Sequence, residues 1–177
     1  VIATPLDEPQ GRHLTAADIV FQRGIRQAEN GENTVIIVDS LSRLARACLA
    51  EIPHSGRDIS GIDAAALLRI RQYLGSARAL EEGGSLTIIA AFHGDTSSPL
   101  DAAIMAEANE SANWRVEFTQ KQANRGVRPP IDIERSGTRR EDLLLTDTQI
   151  KERDNWRSEL TDDAKKNHSV LLKAAGH

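Results

Sequence analysis

Two short runs constrain this chain more than any other feature: Thr34 to Val38 (TVIIV) and Leu86 to Phe92 (LTIIAAF). Both are apolar or β-branched almost throughout and lack polar alternation. Strands buried on both faces of a parallel sheet read this way. Helical periodicity surrounds them. From about Gly11 to Asn30 the residues Ala17, Val20, Phe21, Gly24 and Ala28 share one face, and Asn30-Gly31 supplies a stop. Further helices are expected over Leu41 to Ala50, over Asp63 to Ala79, and over Pro99 to Asn109, where proline suits the first turn. Trp114 to Phe118 and Ile131 to Glu134 read as strands, with Arg125 to Pro130 irregular between them. Strands alternating with helices of about ten or more residues predict an α/β fold. Its sheet is expected to be mostly parallel, with right-handed crossovers and helices on both faces.

Such sheets bind ligands at the carboxyl ends of their strands. Attention therefore falls on the residues after Val38, after Phe92 and near Ile131. Asp39 ends the first run, so its carboxylate projects from a strand tip. An acid there either caps the following loop or holds Mg²⁺, which takes hard oxygen ligands and keeps most of its waters. The segment Arg135-Ser136-Gly137-Thr138-Arg139-Arg140 reads either as a solvated basic turn or as a loop presenting an arginine to a phosphate. The loop His54 to Asp63, rich in Gly and Ser and carrying Arg57, reads either as a plain surface connection or as a contact for a nucleic-acid backbone. His13, His54 and His93 share no metal-ligand spacing, so a zinc site is not expected. Arg43 and Arg46 read as surface or salt-bridge arginines.

Composition narrows the class. With 177 residues, 40% hydrophobic and 27% charged, the chain suits one globular domain. Aromatic residues make up only 3%, which leaves the core to Leu, Ile, Val and Ala. The net charge of -4 argues against a surface coated throughout in nucleic acid, though not against one basic loop. No apolar run approaches the ~20 residues of a membrane span, and no charged-then-apolar leader opens the chain. The single cysteine, Cys48, excludes an internal disulfide and fits a cytoplasmic location. Val1 to Thr4 reads as a short strand ended by Pro5. A chain opening inside a strand is expected of a fragment or a processed product.

Four stretches together resemble the Rho family of transcription termination factors. They are Asp7 to Pro9 with Arg12-His13, Val35 to Ala47 (VIIVDSLSRLARA), Ser76 to Ala90 (SARALEEGGSLTIIA), and Pro130 to Leu144 (PIDIERSGTRREDLL). Their order and spacing match with a small deletion near Gly61, and the similarity fades after Leu145. The resemblance implies a RecA-like P-loop NTPase fold over residues 1–145, followed by a weakly matched helical tail over 146–177. It implies a hexameric ring using ATP and Mg²⁺, translocating on RNA and reaching RNA polymerase through the transcript. It makes Asp39 the Walker B acid and Arg139 the arginine finger acting in trans. It puts Arg128 and Arg135 near the nucleotide. It puts Ser55, Gly56, Arg57 and Gly61 in an RNA-contacting pore loop, with His93 to Asp101 as a second one.

Three positions depart from the family pattern. Pro99 stands where the second pore loop carries a lysine, Gly126 where an arginine couples subunits, and Arg128 where an aromatic packs on adenine. No G-x-x-x-x-G-K-[ST] motif occurs in the 177 residues. Two functions are therefore expected in competition. One is a segment of a Rho-type motor, inactive by itself. The other is a catalytically inactive module that binds or caps a Rho ring. A different ring ATPase, such as an ATP synthase subunit, fits the RSGTRRE and EEGGSLTIIA segments less well.

Overall fold

The computed structural model describes residues 2–5, 7–59, 62–94, 98–161, 166–167, 169–170 and 172. The chain forms two compact units, Val1–Ala112 and Asn113–His177. In the first unit the order is α1 (Gln10–Glu29), β1 (Asn33–Asp39), α2 (Leu41–Glu51), β2 (Asp58–Ile59), β3 (Ile62–Asp63), α3 (Ala64–Leu74), β4 (Arg78–Ala79), β5 (Ser85–Ala91) and α4 (Pro99–Ser111). The second unit contains β6 (Trp114–Phe118), α5 (Gln120–Asn124), β7 (Ile131–Thr138), a 3-10 turn at Glu141–Leu143 and α6 (Asp147–Ser158).

β1 and β5 pair in parallel from Asn33↔Ser85 to Asp39↔Ala91. These are the two apolar runs. β4 adds an antiparallel edge, giving the order β1-β5-β4. Residues alternate across a strand, so Ile36 and Leu86 point to one face while Val35, Ile37 and Ile89 point to the other. Helices α1 to α4 gather on the Ile36 and Leu86 side, in one core with Phe21, Leu44, Ile70 and Ile104. The opposite face stays open: Ile37 is 74% exposed and Val35 57%. Helices on both faces were expected, and among the described residues α1 to α4 cover one face. The apolar character of both faces was legible; what covers the second is not supplied by α1 to α4.

The helices begin and end where their local chemistry dictates. Asp63 caps α3 by accepting from the Ala65 amide at 2.8 Å. Ser98 caps α4, with Pro99 in its first turn. Thr146 and Gln149 form a reciprocal capping box on α6. Helix α3 stops at Leu74, short of the expected Ala79. The Ser76 hydroxyl donates back to the Tyr73 carbonyl at 2.6 Å, and Arg78 and Ala79 pair with β5 instead. Gly84 turns the chain between β4 and β5 at a φ of +85°, where a side chain would press against the Ala28 carbonyl. β7 runs to Thr138, past the expected Glu134, because Trp114 and Arg115 of β6 pair with Thr138 and Gly137 across a bulge. The segment read as a basic loop is thus mostly strand.

Packing of α1 on the sheet depends on Gly24. A methyl group there would sit 2.7 Å from Ile36 Cδ1 and 3.3 Å from Leu86 Cδ1. Gly24→Ala is expected to cost about 1–3 kcal/mol through overpacking. The measurement is a lower urea midpoint at unchanged slope. Phe21 stacks on Tyr73 at 4.4 Å between ring centroids, and the Tyr73 hydroxyl donates to Asp18 at 2.5 Å. Burial first, and the Asp18 carboxylate second, push the Tyr73 hydroxyl well above its usual pKa. No described helix is long and apolar enough to cross a membrane.

Candidate functional site

Asp39 ends β1 with an exposed side chain on the same side of the strand as Val35 and Ile37. The next peptide, Asp39–Ser40, is cis. Ser40 is the N-cap residue of α2, yet its side chain makes no capping bond. Its Oγ is buried and has no hydrogen-bond partner among the described residues. A buried hydroxyl without a partner loses its solvation uncompensated, which marks this strand end as a place for a polar group from outside. Asp39, Ser40, Arg43 and His13 line a cleft of about 470 Å³ between α1 and the start of α2. A carboxylate and a hydroxyl side by side are hard oxygen donors of the kind that suits Mg²⁺, so the residues fit that ion.

Neighbouring arginines divide between structure and cleft. Arg46 makes a two-pronged bond to the Asp101 carboxylate, at 3.1 and 3.2 Å, and tethers α2 to α4. Asp101 is 3% exposed. Arg43 is exposed on the cleft wall, a position that the surface reading of α2 did not single out. His13 also lines the cleft, and its Nδ1 lies 2.6 Å from Thr4 Oγ1. Helical spacing alone carried no signal for either residue, because the cleft exists only once α1 crosses the end of β1.

Within the segment from His54 to Asp63, β2 and β3 pair antiparallel, with Asp58 opposite Asp63. Gly56 has a φ of +73°. Gly61, expected in the same loop, lies outside the described residues. Ser55 is committed internally: its amide and hydroxyl both donate to Asp63 Oδ2, at 2.8 and 2.9 Å. His54 also bonds to that carboxylate. Burial by itself would raise the Asp63 carboxyl. The bonds from Ser55, Ala65 and His54 outweigh it and hold the group well below the usual carboxylate range. The exposed Arg57 guanidinium is then the loop's positive group. In the second expected pore loop, residues 95–97 lie outside the described set, and the His93 amide donates to Ser42 Oγ at 3.1 Å.

In the second unit, Arg128 is exposed just before the cis peptide to Pro129. Arg135 lies on β7 and donates to Glu117 of β6 at 3.1 Å. Arg139 follows the end of β7, exposed, with its amide bonded to the Asn113 carbonyl at 2.7 Å. Arg140 sits in the left-handed region at φ 54° and binds Asp142. Glu141 holds both Arg153 and Arg157 of α6. Burial would raise the Glu141 carboxyl, and the Arg153 hydrogen bond and the Arg157 charge more than offset this, lowering it below the usual range. Asp39 belongs to the first unit, and Arg128, Arg135 and Arg139 to the second.

No family model matches the chain. Curated relatives do. Transcription termination factor Rho of Haemophilus influenzae is 45% identical over 152 residues, 85% of this chain. Rho of Escherichia coli is 41% identical over the same length. In both cases the chain spans 36% of the relative. Among solved structures, a type III secretion system ATPase from pathogenic bacteria matches 85% of this chain and 44% of its own, with a TM-score of 0.73 at 22% identity. The ATP synthase subunit NeqB from Nanoarcheaum equitans matches 98% of this chain and 50% of its own, with a TM-score of 0.74 at 13% identity. At those identities the structures speak for the fold alone, and that fold is RecA-like. Over 85% of its length the chain is thus related to one segment of transcription termination factor Rho, carried on a RecA-like ATPase fold.

Proposed function

We propose that this chain is part of an ATP-dependent RNA translocase of the Rho type, acting in transcription termination in the cytoplasm. The observation that carries the reading is the 41–45% identity to Rho over 85% of the chain, with Asp39 at the carboxyl end of the parallel strand β1. In the ring, a homo-hexamer, ATP would lie between subunits. Asp39 would orient Mg²⁺ through water from one side, with the unpartnered Ser40 hydroxyl next to it. When bound, the ion would offset the charge of the phosphates. Arg139 would face the γ-phosphate of a neighbouring subunit, and Arg128 and Arg135 would flank the nucleotide. Arg57, with Ser55, Gly56 and Gly61, would contact RNA, and RNA polymerase would be reached through the transcript.

Support for Arg57 comes from its exposure beside the β2–β3 hairpin, where the neighbouring Ser55 is tied to Asp63. The open face of β1 and β5 supports the view that more of a RecA-type domain packs on Ile37 and Val35 in the complete protein. On this reading the 177 residues alone hydrolyse no ATP, because no amide cradle or P-loop lysine is among them. The experiment is Asp39→Asn in a full-length protein that carries this segment. Mg²⁺-dependent hydrolysis is expected to fall about 10–100-fold, the usual cost of losing a carboxylate that orients a metal through water. Turnover equal to wild type would make Asp39 a structural cap.

A second reading is an inactive Rho-like module that binds or caps a Rho ring. Pro99 in place of a pore-loop lysine favours it. Size-exclusion chromatography of the 177-residue chain with an intact Rho hexamer separates the two. Co-elution with inhibited ATPase supports the module, and no association supports the motor segment.

A further inference from the structure

We propose that His54 and Asp58 form a site for a borderline divalent transition metal such as Zn²⁺, with Asp63 holding the imidazole from behind. The antiparallel register of β2 and β3 sets Asp58 directly opposite Asp63. Two carboxylates facing each other across a strand pair repel, so this arrangement calls for a cation between or beside them. Among the described residues no lysine or arginine pairs with either acid, and the His54 ring lies against both. One ligand atom from each of the three residues falls within 4.8 Å of the others.

The hydrogen-bond pattern decides which nitrogen is available. Asp63 already accepts from the Ser55 amide, the Ser55 hydroxyl and the Ala65 amide. An ionised carboxylate only accepts, so the proton in its bond with His54 belongs to Nδ1. The neutral imidazole therefore carries its lone pair on Nε2. That atom lies 4.0 Å from Asp58 Oδ1. A metal bonded to both at about 2.0–2.2 Å needs only a small closing movement of Asp58. The Asp58 side chain is 58% exposed, which leaves it room to move. The resulting line of Asp63, His54 and metal is the carboxylate–histidine arrangement that fixes the tautomer and raises ligand basicity. Water would fill the remaining positions. One imidazole nitrogen and one carboxylate select the zinc, nickel and cobalt class over Mg²⁺, which takes oxygen ligands.

This site does not depend on the RNA-contact reading of the same loop, because it needs neither a nucleic acid nor a ring. The test is isothermal titration of Zn²⁺ into the 177-residue chain at neutral pH in a non-coordinating buffer, repeated with Co²⁺ while following its visible absorption. One site is expected, unaffected by excess Mg²⁺. His54→Ala and Asp58→Asn should each weaken it by about tenfold or more, with unchanged far-UV circular dichroism. Absence of binding below about 1 mM Zn²⁺ would overturn the proposal. So would Zn²⁺ affinities in both variants within about twofold of wild type, since the metal would then sit at other residues.

Discussion

Arg139→Ala, introduced into a full-length protein carrying this segment, is expected to cut RNA-stimulated ATPase by about a thousandfold or more while nucleotide binding stays close to wild type. The split between turnover and binding follows from the role. An arginine reaching the γ-phosphate from a neighbouring subunit stabilises charge that is spread out in the transition state and contributes little to holding the ground-state nucleotide. Its place immediately after β7, on an exposed corner beside a left-handed residue, suits a side chain that acts on another subunit. Arg140 provides the internal control. It is held by Asp142 at 2.8 Å, and Arg140→Ala is expected to leave turnover within a fewfold of wild type. Undiminished hydrolysis in Arg139→Ala would remove the finger role and, with it, the main reason to seat the nucleotide at a subunit boundary.

Ile104→Ala carries the largest expected effect on stability. Ile104 is fully buried on α4, in the core with Leu44, Ile70 and Ile36. Truncating it removes several buried methyl and methylene groups and leaves a cavity, at a cost of about 2–5 kcal/mol. Helix α4 is amphipathic only weakly and relies on few anchors: Ile104, Ala108, the Asp101–Arg46 pair and the Glu107–Arg71 pair. Arg71 meets Glu107 with two bonds, at 2.9 and 2.7 Å, and the Glu107 side chain is largely buried. Its half-exposed arginine offsets the burial of the carboxylate, so the ion pair serves location more than net stability. Chemical unfolding of the isolated chain measures the Ile104 effect directly. A loss below about 1 kcal/mol would mean that α4 does not share the main core.

Much of the fold is legible in the amino-acid sequence. TVIIV and LTIIAAF are the two paired strands, and Asp39 lies at the carboxyl end of the first. Helices α1, α2 and α4 fall within a few residues of expectation, because their apolar spacing and stop signals are local properties of the chain. Local signals ran out where two segments compete for the same residues. Arg78 and Ala79 suit a helix by pattern and join β5 by pairing. Residues 135–138 look like a polar loop and extend β7 because β6 offers them partners.

Strands β1 and β5, helices α1, α2 and α4 and the order in which they alternate follow from short-range periodicity and backbone preference. Packing in three dimensions sets which surfaces and side chains meet. It leaves the Val35 and Ile37 face bare, because α1 to α4 all pack on the other side. It opens a cleft on Asp39, Ser40, Arg43 and His13, which come from separate elements. It brings His54, Asp58 and Asp63 together, although their spacing matches no metal motif, because a hairpin register rather than sequence distance sets which carboxylates face one imidazole.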